Sequence, residues 1–246
     1  MSSISQKLQA VHESIRNSTA QASRPGDAVA LLAVSKTFGA DAVLEAIAAG
    51  QFAFGENYLQ EALDKIIAVR TATTATVATA AAGLVGAVEW HFIGPIQSNK
   101  TRAIAENFAW VHTVEREKIA QRLSDQRPAA LAPLNVCLQV NISNEASKSG
   151  VAPEDALAVA QAIAALPRLR LRGLMAIPEA SDDPVQQRAA FRRLRQLFIQ
   201  LQESGLMIDT LSMGMSGDMD SAIAEGATIV RVGSAIFGRR DQASSV

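Results

Sequence analysis

Apolar residues recur along the chain in two alternating rhythms. Ile4, Leu8, Val11 and Ile15 follow spacings of four, three and four, the stripe of an amphipathic helix over 4–22. The run VALLAVSK at 29–36 has no polar alternation and suits a strand buried on both faces of a parallel sheet. Asp41 is placed to cap the next helix, DAVLEAIAAG, which closes at Gly50. The unit then repeats. FAFGEN (52–57) predicts a second strand, with its helix over 58–69. EWHFIG (89–94) predicts a third, with a helix over 98–108, and WVHTVE (110–115) a fourth, with REKIAQRLSDQ as its helix. NVCLQVNIS (135–143) is the fifth strand; its helix begins near Pro153, a good first-turn residue, and ends about Leu166, with Val159, Ile163 and Leu166 on one face. LRLRGLMAIP (169–178) is the sixth, and the helix over 184–204 buries Phe191, Leu194, Phe198 and Leu201. TLSMG (210–214), the short helix DMDSAIAEG and a last strand IVRVGSAIFG (229–238) complete the series.

Eight strand candidates, each but the last followed by a helical pattern, predict a parallel sheet with right-handed crossovers. Eight repeats in a chain of 246 residues point to an α/β fold, a single (β/α)8 barrel of the TIM type with an extra N-terminal helix. The alternative, an open doubly wound sheet, often carries a Gly-rich phosphate turn after its first strand, and this chain has none. TATTATVATAAAGLVGA (71–87) breaks the rhythm. Its Ala/Thr bias reads as a helix extension plus a loose surface insertion, at the end of the barrel away from the βα loops. No linker marks a second domain, so residues 1–246 are expected to form one.

Composition narrows the class. Hydrophobic residues make up 48% of the chain, which argues against disorder. With 23 Lys+Arg against 24 Asp+Glu there is no basic excess for phosphate neutralisation, which argues against a dedicated nucleic-acid binder. The single cysteine, Cys137, excludes an intramolecular disulfide and fits a reducing compartment. The first residues lack the apolar core of a signal peptide, and no apolar run is long enough to span a membrane. A soluble cytoplasmic protein is expected.

In a barrel, function sits at the C-terminal strand ends. The polar residues gathered there include Lys36, Asn57, Ser216, Arg231, Gly233 and Ser234. A lysine ending an apolar strand is costly to bury charged, and desolvation would free a neutral amine to attack an aldehyde; a solvated or salt-bridged rim lysine is the plain alternative. Loops after the seventh and eighth strands commonly build a phosphate site. Gly233-Ser234 and Ser216 supply small residues and hydroxyls there, and Arg231 shares the strand face of Gly233. Together they suit a phosphorylated aldehyde. His91 is read as structural ahead of an acid or base. His12 and His112 have no companion at metal-ligand spacing, and no zinc or calcium motif occurs, so no metal site is expected. Arg188, Arg192, Arg193 and Arg195 read as a solvated helix face.

These motifs are long enough to resemble a family. AVSK (33–36), FGENYLQEALDK (54–65), WHFIGPIQSNK (90–100), NISNEASKSG (141–150), RGLMAIP (172–178), LSMGMSGDMDSAI (211–223) and VRVGSAIFGRR (230–240) are similar to segments of the pyridoxal phosphate homeostasis proteins, which have an alanine-racemase-like barrel. The resemblance implies that pyridoxal 5′-phosphate (PLP) is the cofactor, held as an aldimine on Lys36. It places Arg231 at the pyridine nitrogen, Ser216, Gly233 and Ser234 at the phosphate, and Asn57 beside the ring. The Ala/Thr segment is longer than the family's usual loop.

The same resemblance implies a non-catalytic protein of intracellular PLP (vitamin B6) homeostasis, with PLP-dependent apo-enzymes as acceptors. An arginine at the ring nitrogen disfavours its protonation and weakens the ring as an electron sink, although racemases use the same arrangement. Related racemases also draw a second base, a tyrosine, from an additional β domain and a partner chain. Here the barrel consumes the sequence, and Tyr58 is the only tyrosine. The rival readings are a minimal PLP-dependent racemase or decarboxylase, a Schiff-base aldolase acting through Lys36 on a phosphorylated sugar, and an interaction protein that senses PLP. A monomer is expected, since no apolar stripe beyond the barrel helices demands a partner.

Overall fold

The computed structural model describes residues 3–75, 88–143 and 149–238. Strands β1 (Ala30–Val34), β2 (Ala53–Glu56), β3 (Glu89–Phe92), β4 (Trp110–Val114), β5 (Leu134–Gln139), β6 (Leu169–Met175), β7 (Thr210–Ser212) and β8 (Ile229–Val232) pair in chain order, all parallel, and β8 returns to β1. Helix α1 (Ile4–Gln21) precedes them. Helices α2 (Ala40–Ala48), α3 (Leu59–Ala75), α4 (Thr101–Asn107), α5 (Glu117–Gln126), α6 (Ala156–Ala164), α7 (Pro184–Glu203) and α8 (Met219–Ala224) follow the first seven strands. The fold is the (β/α)8 barrel that the alternation predicts, with α1 packed against α2, α8 and a final short helix α9 (Ser234–Phe237).

Local chemistry explains the element ends. Ser3 and Gln6 form a capping box on α1, worth about 1 kcal/mol. Asp183 caps α7, with Pro184 supplying a preset first turn. Asp41 lies inside the first turn of α2, where its charge favours the helix dipole, and the cap position belongs to Gly39; the expected side-chain cap is absent. The eighth strand is also shorter than its apolar run suggests. Extended pairing ends at Val232, and Ser234–Phe237 turns into α9, burying Ile236 and Phe237. A short apolar run cannot by itself distinguish a buried strand from a buried helix turn. The Ala/Thr segment extends α3 to Ala75; residues 76–87 lie outside the described residues.

Alternation along each strand sorts the side chains. Outward positions such as Phe54, Trp90, Phe92, Val111 and Val230 meet the inner faces of the helices, where Phe108, Leu123, Ile163 and Phe191 are fully buried. Each such side chain contributes roughly 1.5–3 kcal/mol. Inward positions fill the lumen. There Leu32, Trp110, Cys137, Met175 and Ile229 form a separate apolar cluster. The inward parity of β3, β4, β7 and β8 also carries His91, His112, Ser212 and Arg231, all buried.

Candidate functional site

Strand register brings the predicted residues to one mouth. Leu32 and Ala33 of β1 pair with Arg231 and Val232 of β8, so Lys36 and Gly233-Ser234 leave adjacent strands at the same end. Gly233 has a close neighbour that explains its identity: a Cβ there would stand 3.1 Å from the Val34 carbonyl. The Arg231 N–H donates to the Gly214 carbonyl at 2.9 Å, which ties β8 to the loop carrying Ser216. Lys36, Ser216 and Ser234 are exposed. A cavity of about 340 Å³ runs along α1, lined by Lys7, Val11 and Ser14 and, opposite, by Ser216, Val232 and Ala235; Lys36 and Ser234 do not line it. Asn57 leaves β2 at the same end. Its Oδ1 is buried and has no hydrogen-bond partner among the described residues. The Asn57 backbone lies so close to Gly94 that any Cβ at that position would fall on the Asn57 carbonyl.

Lys36 is gripped from both sides in sequence. Ser35 before it is fully buried and donates its hydroxyl to Glu56 Oε1 at 2.6 Å. Lys65 of α3, 4% exposed, donates to the same oxygen at 2.6 Å and to the Ser35 carbonyl at 2.8 Å. Thr37 after it has φ 70°, a left-handed conformation unusual for a residue with a Cβ. Its N–H donates to Glu61 Oε1 at 2.6 Å, and Glu61 in turn pairs with Lys65 at 3.0 Å. A buried Glu56–Lys65 pair thus fixes the backbone on either side of Lys36. Burial pushes the Glu56 carboxyl above its usual range, against the opposing pull of Lys65. Ser35 and Glu56 belong to the polar strand ends that the sequence gathers at this mouth, without a role assigned to them, and Glu61 and Lys65 do not stand out there. The one local signal is the Glu61–Lys65 spacing of four, a common surface pair.

Arg231 is 4% exposed, and no ion pair reaches it among the described residues. Its guanidinium donates to Ser212 Oγ at 2.9 Å and to the Ala176 carbonyl at 3.1 Å. Burial lowers its pKa to about 10, so it is still a cation at neutral pH. Ser212 Oγ also lies 2.7 Å from His112 Nδ1, and His112 Nε2 lies 2.9 Å from His91 Nδ1. Sequence reading treats His91 and His112 as separate. They are neighbours because β3 and β4 pair with His91 beside Trp110.

The remaining candidates divide. Tyr58 is 52% exposed. Of the α7 arginines, Arg188 and Arg192 pair with the buried Glu225 of α8 at 2.8 and 2.9 Å, so that face is partly structural. Among the described residues no three His, Cys, Asp or Glu side chains gather to hold a metal ion.

The family model described as alanine racemase, N-terminal domain, matches residues 7–241. The pyridoxal phosphate homeostasis protein of Pseudomonas aeruginosa is 58% identical over 241 residues, covering 98% of this chain and 97% of its own. This chain belongs to the pyridoxal phosphate homeostasis protein family. Among solved structures, PipY of Synechococcus elongatus with PLP bound is similar with a TM-score of 0.76 and 33% identity, covering 96% of this chain and 100% of PipY. An alanine racemase of Clostridium difficile shares the fold at 14% identity with a TM-score of 0.67; this family member matches only 59% of that longer chain.

Proposed function

We propose that the chain binds PLP at this mouth and serves intracellular PLP homeostasis without turning over a substrate. Lys36 is the covalent anchor, Arg231 faces the ring nitrogen, Ser216, Gly233 and Ser234 receive the phosphate, and Asn57 lies beside the ring. PLP brings an aldehyde that condenses reversibly with a lysine amine. The protein's own contribution is to hold and orient. Ser35 and Thr37 fix where Lys36 leaves β1, and Arg231 presents a donor that does not surrender its proton at neutral pH.

The observation that carries the reading is the buried, unneutralised Arg231 one strand from Lys36. An unpaired cation in a barrel lumen is strongly unfavourable unless something electron-rich meets it. Among the described residues, its guanidinium donates only to Ser212 and to the Ala176 carbonyl. The orphaned Asn57 Oδ1 is a second polar atom that asks for a ligand. The relatives' name, homeostasis protein, and the PLP-bound structure of PipY support the same cofactor and role. The non-catalytic reading is supported by the relatives' name, homeostasis protein. We place the protein in the cytoplasm as a monomer, with PLP-dependent apo-enzymes as acceptors.

The test is borohydride reduction of the PLP-loaded protein followed by peptide mapping. The pyridoxyl group is expected on Lys36. Failure to take up PLP, or modification that leaves Lys36 untouched, overturns the site. Amino-acid racemisation or decarboxylation by the loaded protein, abolished in Lys36→Ala, overturns the non-catalytic role.

A further inference from the structure

The lumen of a (β/α)8 barrel is ordinarily packed with branched apolar side chains. Here Leu32, Trp110, Cys137, Met175 and Ile229 supply that packing, yet His91, His112, Ser212 and Arg231 thread through it. Each polar group would be costly alone, and each is bonded to the next.

Proton counting fixes the direction of the thread. An arginine only donates, so Ser212 Oγ accepts from Arg231. Among the described residues no other acceptor is bonded to Ser212 Oγ, so its single proton goes to His112 Nδ1. His112 is neutral, held well below the usual histidine range by burial and by the neighbouring His91 and Arg231. With Nδ1 accepting, its proton sits on Nε2 and is donated to His91 Nδ1. Burial likewise lowers His91, partly offset by Glu89. The His91 proton then lies on Nε2, facing Glu89 Oε2 at 3.8 Å. The reverse arrangement would strand the Ser212 proton and point a His91 lone pair at a carboxylate. Aromatic packing locks the rings: His91 stacks on Trp110 at 5.3 Å, and Trp110 is covered by Arg172 at 4.6 Å.

We infer that Ser212 and His112 are positioning residues for Arg231, at the head of a one-directional chain of hydrogen bonds that runs from the guanidinium through His91 toward Glu89 at the opposite mouth. The inference rests on the reading of this mouth as the PLP site and adds what aims its arginine. A carboxylate would also hold Arg231, but it would cancel the charge presented to the ligand. A neutral serine–histidine chain orients the guanidinium and leaves its charge intact.

The experiment is proton–nitrogen correlation NMR of the full chain, with and without PLP, together with visible spectra of the loaded protein. Both His91 and His112 are expected as neutral imidazoles with the proton on Nε2, and the Arg231 terminal nitrogens as distinct, slowly exchanging resonances. Ser212→Ala and His112→Phe are expected to merge those resonances, move the visible absorption maximum and weaken PLP binding about tenfold, the loss of one charge-assisted hydrogen bond. His112→Asn, whose Oδ1 stands where Nδ1 does, is expected to restore both signals. An Nδ1–H tautomer on His112 overturns the inference. So do wild-type arginine resonances and absorption maximum in Ser212→Ala, which removes a single atom and decides the matter even if His112→Phe does not fold. If PLP does not load on Lys36 the site reading falls, while the tautomers and the Arg231 resonances of the unloaded protein still decide this one.

Discussion

Replacing Lys65 with methionine tests the clamp around Lys36. Lys65 is 4% exposed and Glu56 fully buried, and the pair shares a 2.6 Å contact. Methionine keeps most of the side-chain volume and removes the ammonium, so Glu56 loses its counter-ion while Ser35 still donates to it. Removing one partner of a buried pair costs about 3–5 kcal/mol when the survivor stays charged. The pH dependence follows from the raised Glu56 carboxyl. A carboxyl raised in the native state binds its proton more tightly there than in the unfolded chain, so its contribution is fully present at low pH and falls as pH rises through the native value. Without Lys65 that value climbs further and the loss extends to higher pH. Urea denaturation is therefore expected to show a small deficit for Lys65→Met at about pH 5 and the full deficit at about pH 8, each unit of displacement being worth about 1.4 kcal/mol. Adding Glu56→Gln is expected to recover most of the high-pH loss, because no buried charge remains to be stranded. Equal stability of Lys65→Met and wild type at about pH 8, within about 0.5 kcal/mol, would refute the clamp.

Two further outcomes follow from local geometry. Gly94→Ala places a methyl on the Asn57 carbonyl, so β2 and β3 must part at the mouth; a loss of roughly 2–4 kcal/mol in urea, with weaker PLP uptake, is expected, and a wild-type profile would show that the two strands tolerate the separation. Cys137 is buried in the lumen and its thiol is pushed up to about 12 by burial. An aromatic disulfide reagent is expected to find no reactive thiol in the folded protein and one after denaturation; rapid native reaction would mean that the lumen opens.

Much of the fold is legible because its periods are unambiguous. The stripe of α1 has the helical period, short apolar runs such as ALLAV read as strands through their alternation with such stripes, and eight alternations leave the closed barrel as the economical topology. Where the proposed site residues lie, as distinct from what they do, is legible for a related reason: most follow strand ends, and parallel strands in register deliver those ends to one mouth. Boundaries fare worse. Gly233-Ser234-Ala235 reads as strand and folds as helix, because local propensity is nearly even and packing of Ile236 and Phe237 decides.

The amino-acid order alone determined the barrel, a lysine just past the end of its first strand and the small residues after the last two, since these depend on period and position along one chain. What stands behind them was decided by tertiary structure. Glu56 and Lys65 are nine positions apart and become a buried pair only when α3 packs back on β2. His91, His112, Ser212 and Arg231 lie on four different strands, and no spacing in the sequence links them. Closure of the sheet turns their inward parity into contact, and burial among apolar side chains is offset by the hydrogen bonds that join one to the next.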